Sequence, residues 1–308
     1  MSASATLSAL RRCSGVNAMP LGQRIALCLR CLLPLLLPSL THAALPRAAS
    51  VPGGVAVVSL GPIAAGARPP RAWLGEQPVL VAADAGQWVG VVGLALDTSP
   101  GTYALRVEER ETATEQGKSR NVQFRVDHKD YPEQRITLKD SSKVQLSVGD
   151  LARVEGEIAA IQAIKRHWRD ADDTDTDFVL PATGRLTGRF GVRRFFNGEA
   201  RSPHAGFDIA SPRGGVVKSS AHGIVLATGD YFFNGQTVFV DHGNGLISMY
   251  CHLERIDVQP GETVGKGQRL GLSGMSGRAT GPHLHWSVIL NGAMVDPQLF
   301  VASPGRMP

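Results

Sequence analysis

The sequence predicts a mainly β protein: an N-terminal immunoglobulin-like β-sandwich, a helical connector, and a C-terminal domain built on an antiparallel β-sheet. Three observations carry this. Aromatic residues are few (6 %), while Gly and Pro are frequent (35 and 19 of 308 residues), which favours turns and short strands over long helical bundles. Apolar runs of strand length recur in both halves of the chain, broken by Gly, Pro, Asp and Ser. Between them, one segment switches to helical period. A chain of 308 residues can bury the cores of two modest domains. The expected division is a signal peptide over 1–44, the sandwich over 45–145, the connector and an acidic linker over 146–178, and the C-terminal domain over 179–308.

The first segment, "RIALCLRCLLPLLLPSLTHAAL", has basic residues, then a Leu-rich run, then small residues suited to cleavage, the pattern of a secretory signal. Arg30, Pro34 and Pro38 interrupt the run, which argues against a stable membrane span. Met19 is an alternative start. Arg11, Arg12, Arg24 and Arg30 lie here with no acid, so the net charge of +5 falls to +1 once they are gone. A nearly neutral body gives no electrostatic case for nucleic-acid binding. Cys13, Cys28 and Cys31 leave with the signal, and Cys251 alone remains, so the mature chain has no internal disulfide.

In the sandwich, "VAVVSL", "PVLVAA", "WVGVVGLAL", "TYALRVEE" and "NVQFRVDH" read as strands, and Pro100-Gly101 marks a turn. Leu151, Val154, Ile158, Ile161 and Ile164 then recur at three- and four-residue spacing, an amphipathic helix packed on protein, with Asp150 as its N-cap. "RDADDTDTD" follows. Counted from Asp170, the fifth and sixth places hold Thr174 and Asp175, which does not suit an EF-hand loop, so a solvated acidic linker is the better reading. From Phe178 onward, "GVVKSS", "GIVLATG", "QTVFVDHG", "LISMYCHL" and "LHWSVILNG" suit strands, and no period of 20–50 residues signals a repeat protein.

The informative histidines are confined to this last part. In "TGPHLHW", alternation puts His283 and His285 on one face of a strand and turns Leu284 to the core. In "SPHAGFDIA", Asp208 sits in an apolar run, where an ionised carboxylate is expensive unless it is paired or binds a metal; capping a turn is the plainer alternative. "MYCHLERI" supplies His252. Alternation separates it from Cys251, which reads as a buried small apolar residue rather than a nucleophile. Each element alone has an ordinary structural reading. Together they offer more His and Asp than the three protein ligands of a catalytic zinc require.

"HAGFDIA", "YCHL" and "GPHLHW", in this order, resemble the three motifs of the M23 (LytM-type, lysostaphin-like) zinc metallopeptidases, and the likeness runs from about Leu180 to Phe300. More loosely, "VPGGVAVVSLGP" through "LARVEGEI" resembles the β-rich domain that precedes some of these enzymes. The resemblance implies an antiparallel M23-type catalytic domain with one Zn²⁺ held by His204, Asp208 and His285, and with His252 and His283 as catalytic residues. It also implies endopeptidase action on the stem peptides or cross-bridges of bacterial peptidoglycan, with metal-activated water as nucleophile, by an exported protein of the periplasm or cell envelope. One carboxylate and two neutral imidazoles leave a net positive centre, which favours hydroxide. The alternative is a catalytically weak LytM-like regulator that activates a cell-wall amidase, against which stand five competent side chains.

His222 and His242 match no ligand position and read as structural, and Asn234 reads as a turn residue. Arg193, Arg194 and Asn197 lie near the first motif and suit either a groove wall or a solvated loop. No H-E-x-x-H, G-x-S-x-G or dinucleotide loop is present. Oligomeric state is left open by the sequence.

Overall fold

The computed structural model describes residues 44–109, 118–136, 147–196, 198–200 and 202–302. The segment read as a signal peptide lies, apart from Ala44, outside them.

The N-terminal strands β1 (Val55–Pro62), β2 (Arg71–Leu74), β3 (Gln77–Asp84), β4 (Gln87–Gly93), β5 (Gly101–Glu108) and β6 (Ser119–Val126) follow the expected runs, with the short β2 as an addition. All pairings are antiparallel, in the order β1-β4-β3-β2-β5-β6, one continuous sheet curled nearly into a barrel. The two layers expected of a sandwich are thus two halves of a single sheet. Alternate residues Ala56, Val58, Leu60, Leu105 and Val107 fill its interior. Ala85 and Gly86, at φ 44° and 79°, form the two-residue turn that closes the β3–β4 hairpin.

Strand β7 (Glu133–Ile136) leads toward the helix α1 (Val148–Lys165). The N-cap is Ser147, whose hydroxyl accepts from the Asp150 N–H at 3.1 Å, so the helix starts three residues before the expected cap at Asp150. Asp150 instead occupies the first turn, where its charge meets the positive end of the helix dipole. Only part of the apolar stripe is covered. Val154 is buried, and Ile161 and Ile164 pack on Phe239, Ile247, Met249 and Ile289 of the C-terminal sheet. Leu151 and Ile158, at the stripe's edge, stay 44 % and 51 % exposed. The acidic stretch after the helix is tied down rather than wholly solvated: Arg169 pairs with Asp241 at 2.6 Å, and Lys266 with Asp175 at 3.3 Å.

The C-terminal part comprises β8 (Arg185–Gly188), β9 (Arg193–Phe196), β10 (Glu199–Ala200), β11 (Phe207–Ala210), β12 (Val216–Lys218), β13 (Gly223–Tyr231), β14 (Gly235–Asp241), β15 (Leu246–Ile256), β16 (Thr263–Val264), β17 (Arg269–Ser273), β18 (Leu284–Leu290) and β19 (Ala293–Val295). The main path of its large sheet is β16-β13-β14-β15-β18-β11-β8, antiparallel throughout, while β9 joins β10 and, in parallel, β7. The N-terminal sheet keeps an interior cluster of its own, but the two parts also share a core. Val55, Leu80, Val89 and Val91 of the N-terminal sheet share one apolar cluster with Trp286, Val288 and Leu290. At this seam the Asn291 amide clamps Gly93, accepting from its N–H at 2.6 Å and donating to its carbonyl at 3.1 Å. No helix among the described residues is long and apolar enough to cross a membrane.

Candidate metal site

Pairing in the centre of the large sheet builds the site. Asp208 of β11 stands directly opposite His285 of β18, so their side chains share a face. His204 precedes β11 and is pinned by backbone bonds in both directions, its N–H to Val192 O (3.0 Å) and its carbonyl from Gly191 N–H (2.8 Å). Three atoms converge: His204 Nε2 and Asp208 Oδ1 at 3.0 Å, His285 Nδ1 and Asp208 Oδ1 at 2.8 Å, and the two imidazole nitrogens at 3.1 Å. Among the described residues, no second group of His, Cys, Asp or Glu comes together in this way.

The remaining ring nitrogens fix the chemistry of the converging ones. His204 Nδ1 lies 2.8 Å from the Arg189 carbonyl, an acceptor only, so Nδ1 carries hydrogen and neutral Nε2 presents a lone pair. His285 Nε2 meets the Ser287 hydroxyl at 3.0 Å, which lets it carry the hydrogen and frees Nδ1. Two lone pairs and a carboxylate oxygen therefore face one another, an arrangement that needs a cation. Tetrahedral ligands on bonds of about 2.0 Å sit about 3.3 Å apart, close to the spacing here. This N/N/O donor set fits zinc.

Burial opposes the Asp208 charge; without a cation, protons on His204 and His285 facing the carboxylate outweigh that cost and hold the carboxyl well below its usual range, a role that a bound cation takes over once the two nitrogens are proton-free. Burial is also the main cause that lowers the pKa of His285 and brings that of His252 down to about 4, so both imidazoles are neutral ligands or bases at pH 7.

His252 and His283 flank this centre. Their rings lie 4.7 Å apart, and His283 Nε2 is 3.9 Å from Asp208 Oδ1. Both are oriented like His204: His252 Nδ1 donates to Ser276 O (2.9 Å) and His283 Nδ1 to Gly281 O (2.8 Å), leaving each Nε2 with a lone pair. His252 reaches the site by a break in its strand. Tyr250 pairs with Val238 and Leu253 with Gln236, so Cys251 and His252 oppose a single residue, a β-bulge. The backbone of His252 is left-handed there (φ 62°). Strict alternation would put its ring on the face opposite Cys251 and His285; the bulge brings it to 6.1 Å from the His285 ring. Cys251 itself is buried, and burial pushes its thiol up to about 12.

Two glycines make room. A Cβ at Gly188 would run into the Asp208 carboxylate, and one at Gly206 would lie 2.6 Å from His285 Nε2. These glycines, Ser287, and the carbonyls of Arg189, Ser276 and Gly281 were not singled out in the sequence, since a backbone carbonyl leaves no residue-type signal.

The other sequence candidates do not join the centre. His242 is fully buried, its Nδ1 donating to His222 O (2.7 Å) and its Nε2 bonded to Ser248 Oγ (2.7 Å). His222 lies 3.2 Å from Asp173. Asn234 sits in the β13–β14 turn and accepts the His252 N–H at 2.8 Å. Arg193 pairs with Glu133 at 3.3 Å, whereas Arg194 approaches Asp208 Oδ2 at 3.9 Å. Asn197 lies outside the described residues.

Residues 202–297 match the family model for peptidase family M23, and residues 48–129 that for the M23 N-terminal domain. A crystal structure from Pseudomonas aeruginosa assigned to peptidase M23 is 41 % identical, with a TM-score of 0.66, over 82 % of this chain and 95 % of its own. The peptidoglycan DD-endopeptidase ShyA of Vibrio cholerae is 42 % identical over 120 residues, 39 % of this chain and 28 % of its own length. The DD-carboxypeptidase/endopeptidase Mpg of Neisseria meningitidis is 35 % identical over 113 residues, 37 % of this chain and 26 % of its own. The match thus spans little more than a quarter of either curated relative.

Proposed function

The chain belongs to peptidase family M23, and from that premise we propose that it is a zinc-dependent endopeptidase that hydrolyses peptide cross-links of bacterial peptidoglycan in the cell envelope. The observation that carries this reading is the convergence of His204 Nε2, Asp208 Oδ1 and His285 Nδ1 as three proton-free donors, with two further imidazoles alongside. The names of the matched relatives, which are peptidoglycan DD-endopeptidases, support the substrate class.

In this reading His204, Asp208 and His285 hold one Zn²⁺. When bound, zinc supplies a Lewis acid for the scissile carbonyl and lowers the pKa of a coordinated water to about 7. The rest falls to the chain. His252 and His283 each present a free Nε2, held by a carbonyl at the far side of the ring, and so are set to take the proton of the attacking water and return it to the leaving amine. Whichever imidazole holds that proton is cationic until it returns it, and meanwhile its N–H stabilises the developing oxyanion. Asp208 stays ionised throughout, keeping the centre one charge below the metal's own. The D-alanyl to diamino-acid bond is the leading candidate for cleavage, with a Gly-Gly bond of an interpeptide bridge second.

The test is a digest of purified peptidoglycan sacculi, with muropeptides read by mass spectrometry. Monomers released from cross-linked dimers, lost on chelation and restored by zinc, are expected. No cleavage by the zinc-loaded chain would overturn the reading.

A further inference from the structure

Arg194 stands out at the rim of the site. It lies on β9, whose backbone pairs with β7 and β10. Its neighbour Arg193 turns the other way and pairs with Glu133 at 3.3 Å, with its guanidinium over the Phe195 ring. Arg194 is only 34 % exposed, and its one charged partner among the described residues is Asp208 Oδ2, at 3.9 Å. That distance is beyond a hydrogen bond. A half-buried guanidinium thus stands beside the proposed metal ligands with no hydrogen-bond acceptor for its side-chain donors among the described residues.

Charge makes this more pointed. A divalent cation with Asp208 and two neutral imidazoles amounts to one positive charge, and Arg194 adds a second, with no acid besides Asp208 paired to it among the described residues. A planar fork of donors in such a field fits a carboxylate, which guanidinium binds in bidentate fashion. We infer that Arg194 is a specificity-determining residue that receives a free carboxylate on the substrate residue supplying the scissile amide nitrogen. A diamino acid cross-linked through an amino group whose carbon also bears a carboxylate offers that group; a Gly-Gly bridge does not. The inference rests on the endopeptidase reading and deepens it, since it selects between the two candidate bonds.

The experiment uses the full chain loaded with zinc and two cross-linked muropeptide dimers, one with this carboxylate free and one with it converted to the carboxamide. The wild type is expected to cut the free acid with a kcat/KM about 10- to 100-fold higher. Arg194→Gln should cut the two dimers within about threefold of each other, and Arg194→Lys should keep part of the preference. Zinc content should equal that of the wild type in both variants. Equal cleavage of both dimers by the wild type would overturn the inference while leaving the endopeptidase reading intact, as would a preference that survives Arg194→Gln. Zinc lost from Arg194→Gln would overturn it too, showing that Arg194 serves Asp208 instead. Cleavage of neither dimer would sink the underlying reading and the inference together.

Discussion

Replacing His242 should flatten the pH dependence of stability. The residue is fully buried, and burial lowers its pKa from 6.5 to about 4 against the pull of Asp241, Asp175 and the His222 carbonyl. Phe178 packs on its ring at 5.0 Å, and Ser248 joins it to the Tyr250 hydroxyl. The folded chain therefore resists a proton that the unfolded chain accepts. Stability from this residue is at its full value above pH 6.5 and is lost as pH falls toward 4. At about 1.4 kcal/mol per pH unit across that interval, the loss by pH 4 is about 3 kcal/mol. Urea unfolding of the metal-stripped chain and of His242→Gln, each at steps from pH 7.5 to pH 4, isolates the term, because the other groups titrate alike in both proteins. The variant is expected to be less stable at pH 7.5 and to show a shallower slope. Parallel stability-versus-pH curves would refute the reasoning.

His204→Ala and Asp208→Ala should each lose both bound zinc and cleavage, whereas His283→Ala should lose cleavage and keep most of its zinc, as read by metal analysis beside a sacculus digest. Gly188→Ala should push the Asp208 carboxylate out of place and weaken zinc binding at least about 10-fold, which competition with a chelator measures. His252→Gly should abolish cleavage yet leave the melting temperature equal or higher, since glycine accepts φ 62° without strain; a fall of several degrees would mean that the bulge is relaxed. Cys251 should resist alkylation in the native chain and react once it is unfolded, because its thiol is buried and protonated at pH 7.

What the sequence revealed of the site, and what it hid, divides along a physical line. His204, Asp208, His252, His283 and His285 could be picked out as candidates because side chains of these types can themselves carry metal and proton chemistry, and alternation alone places His283 and His285 on one face. The devices that aim them were hidden. Carbonyls of Arg189, Ser276 and Gly281 set three tautomers, and any residue type carries a carbonyl. The bulge at His252 depends on a register shift against β14 that no local pattern encodes. The fold shows the same division. Long alternating runs such as "LISMYCHL" announce strands, while Arg71–Leu74, four residues between prolines and a glycine, forms one only because β3 and β5 flank it. The helix cap slipped from Asp150 to Ser147 because both are good capping residues and only the path of the chain chooses between them.

The seam between the two sheets bears on how such a chain can be inherited. The Asn291 amide makes two bonds to Gly93, and Val55, Leu80, Val89 and Val91 complete the same cluster as Trp286 and Leu290. A recombination that brought in a foreign C-terminal part would have to carry matching seam residues, or leave apolar surface bare and a buried amide without partners. The two stretches are therefore bound to be exchanged as one unit, and substitutions on one side of the seam to be answered on the other, even though the candidate ligands and their flanking histidines all lie on the C-terminal side.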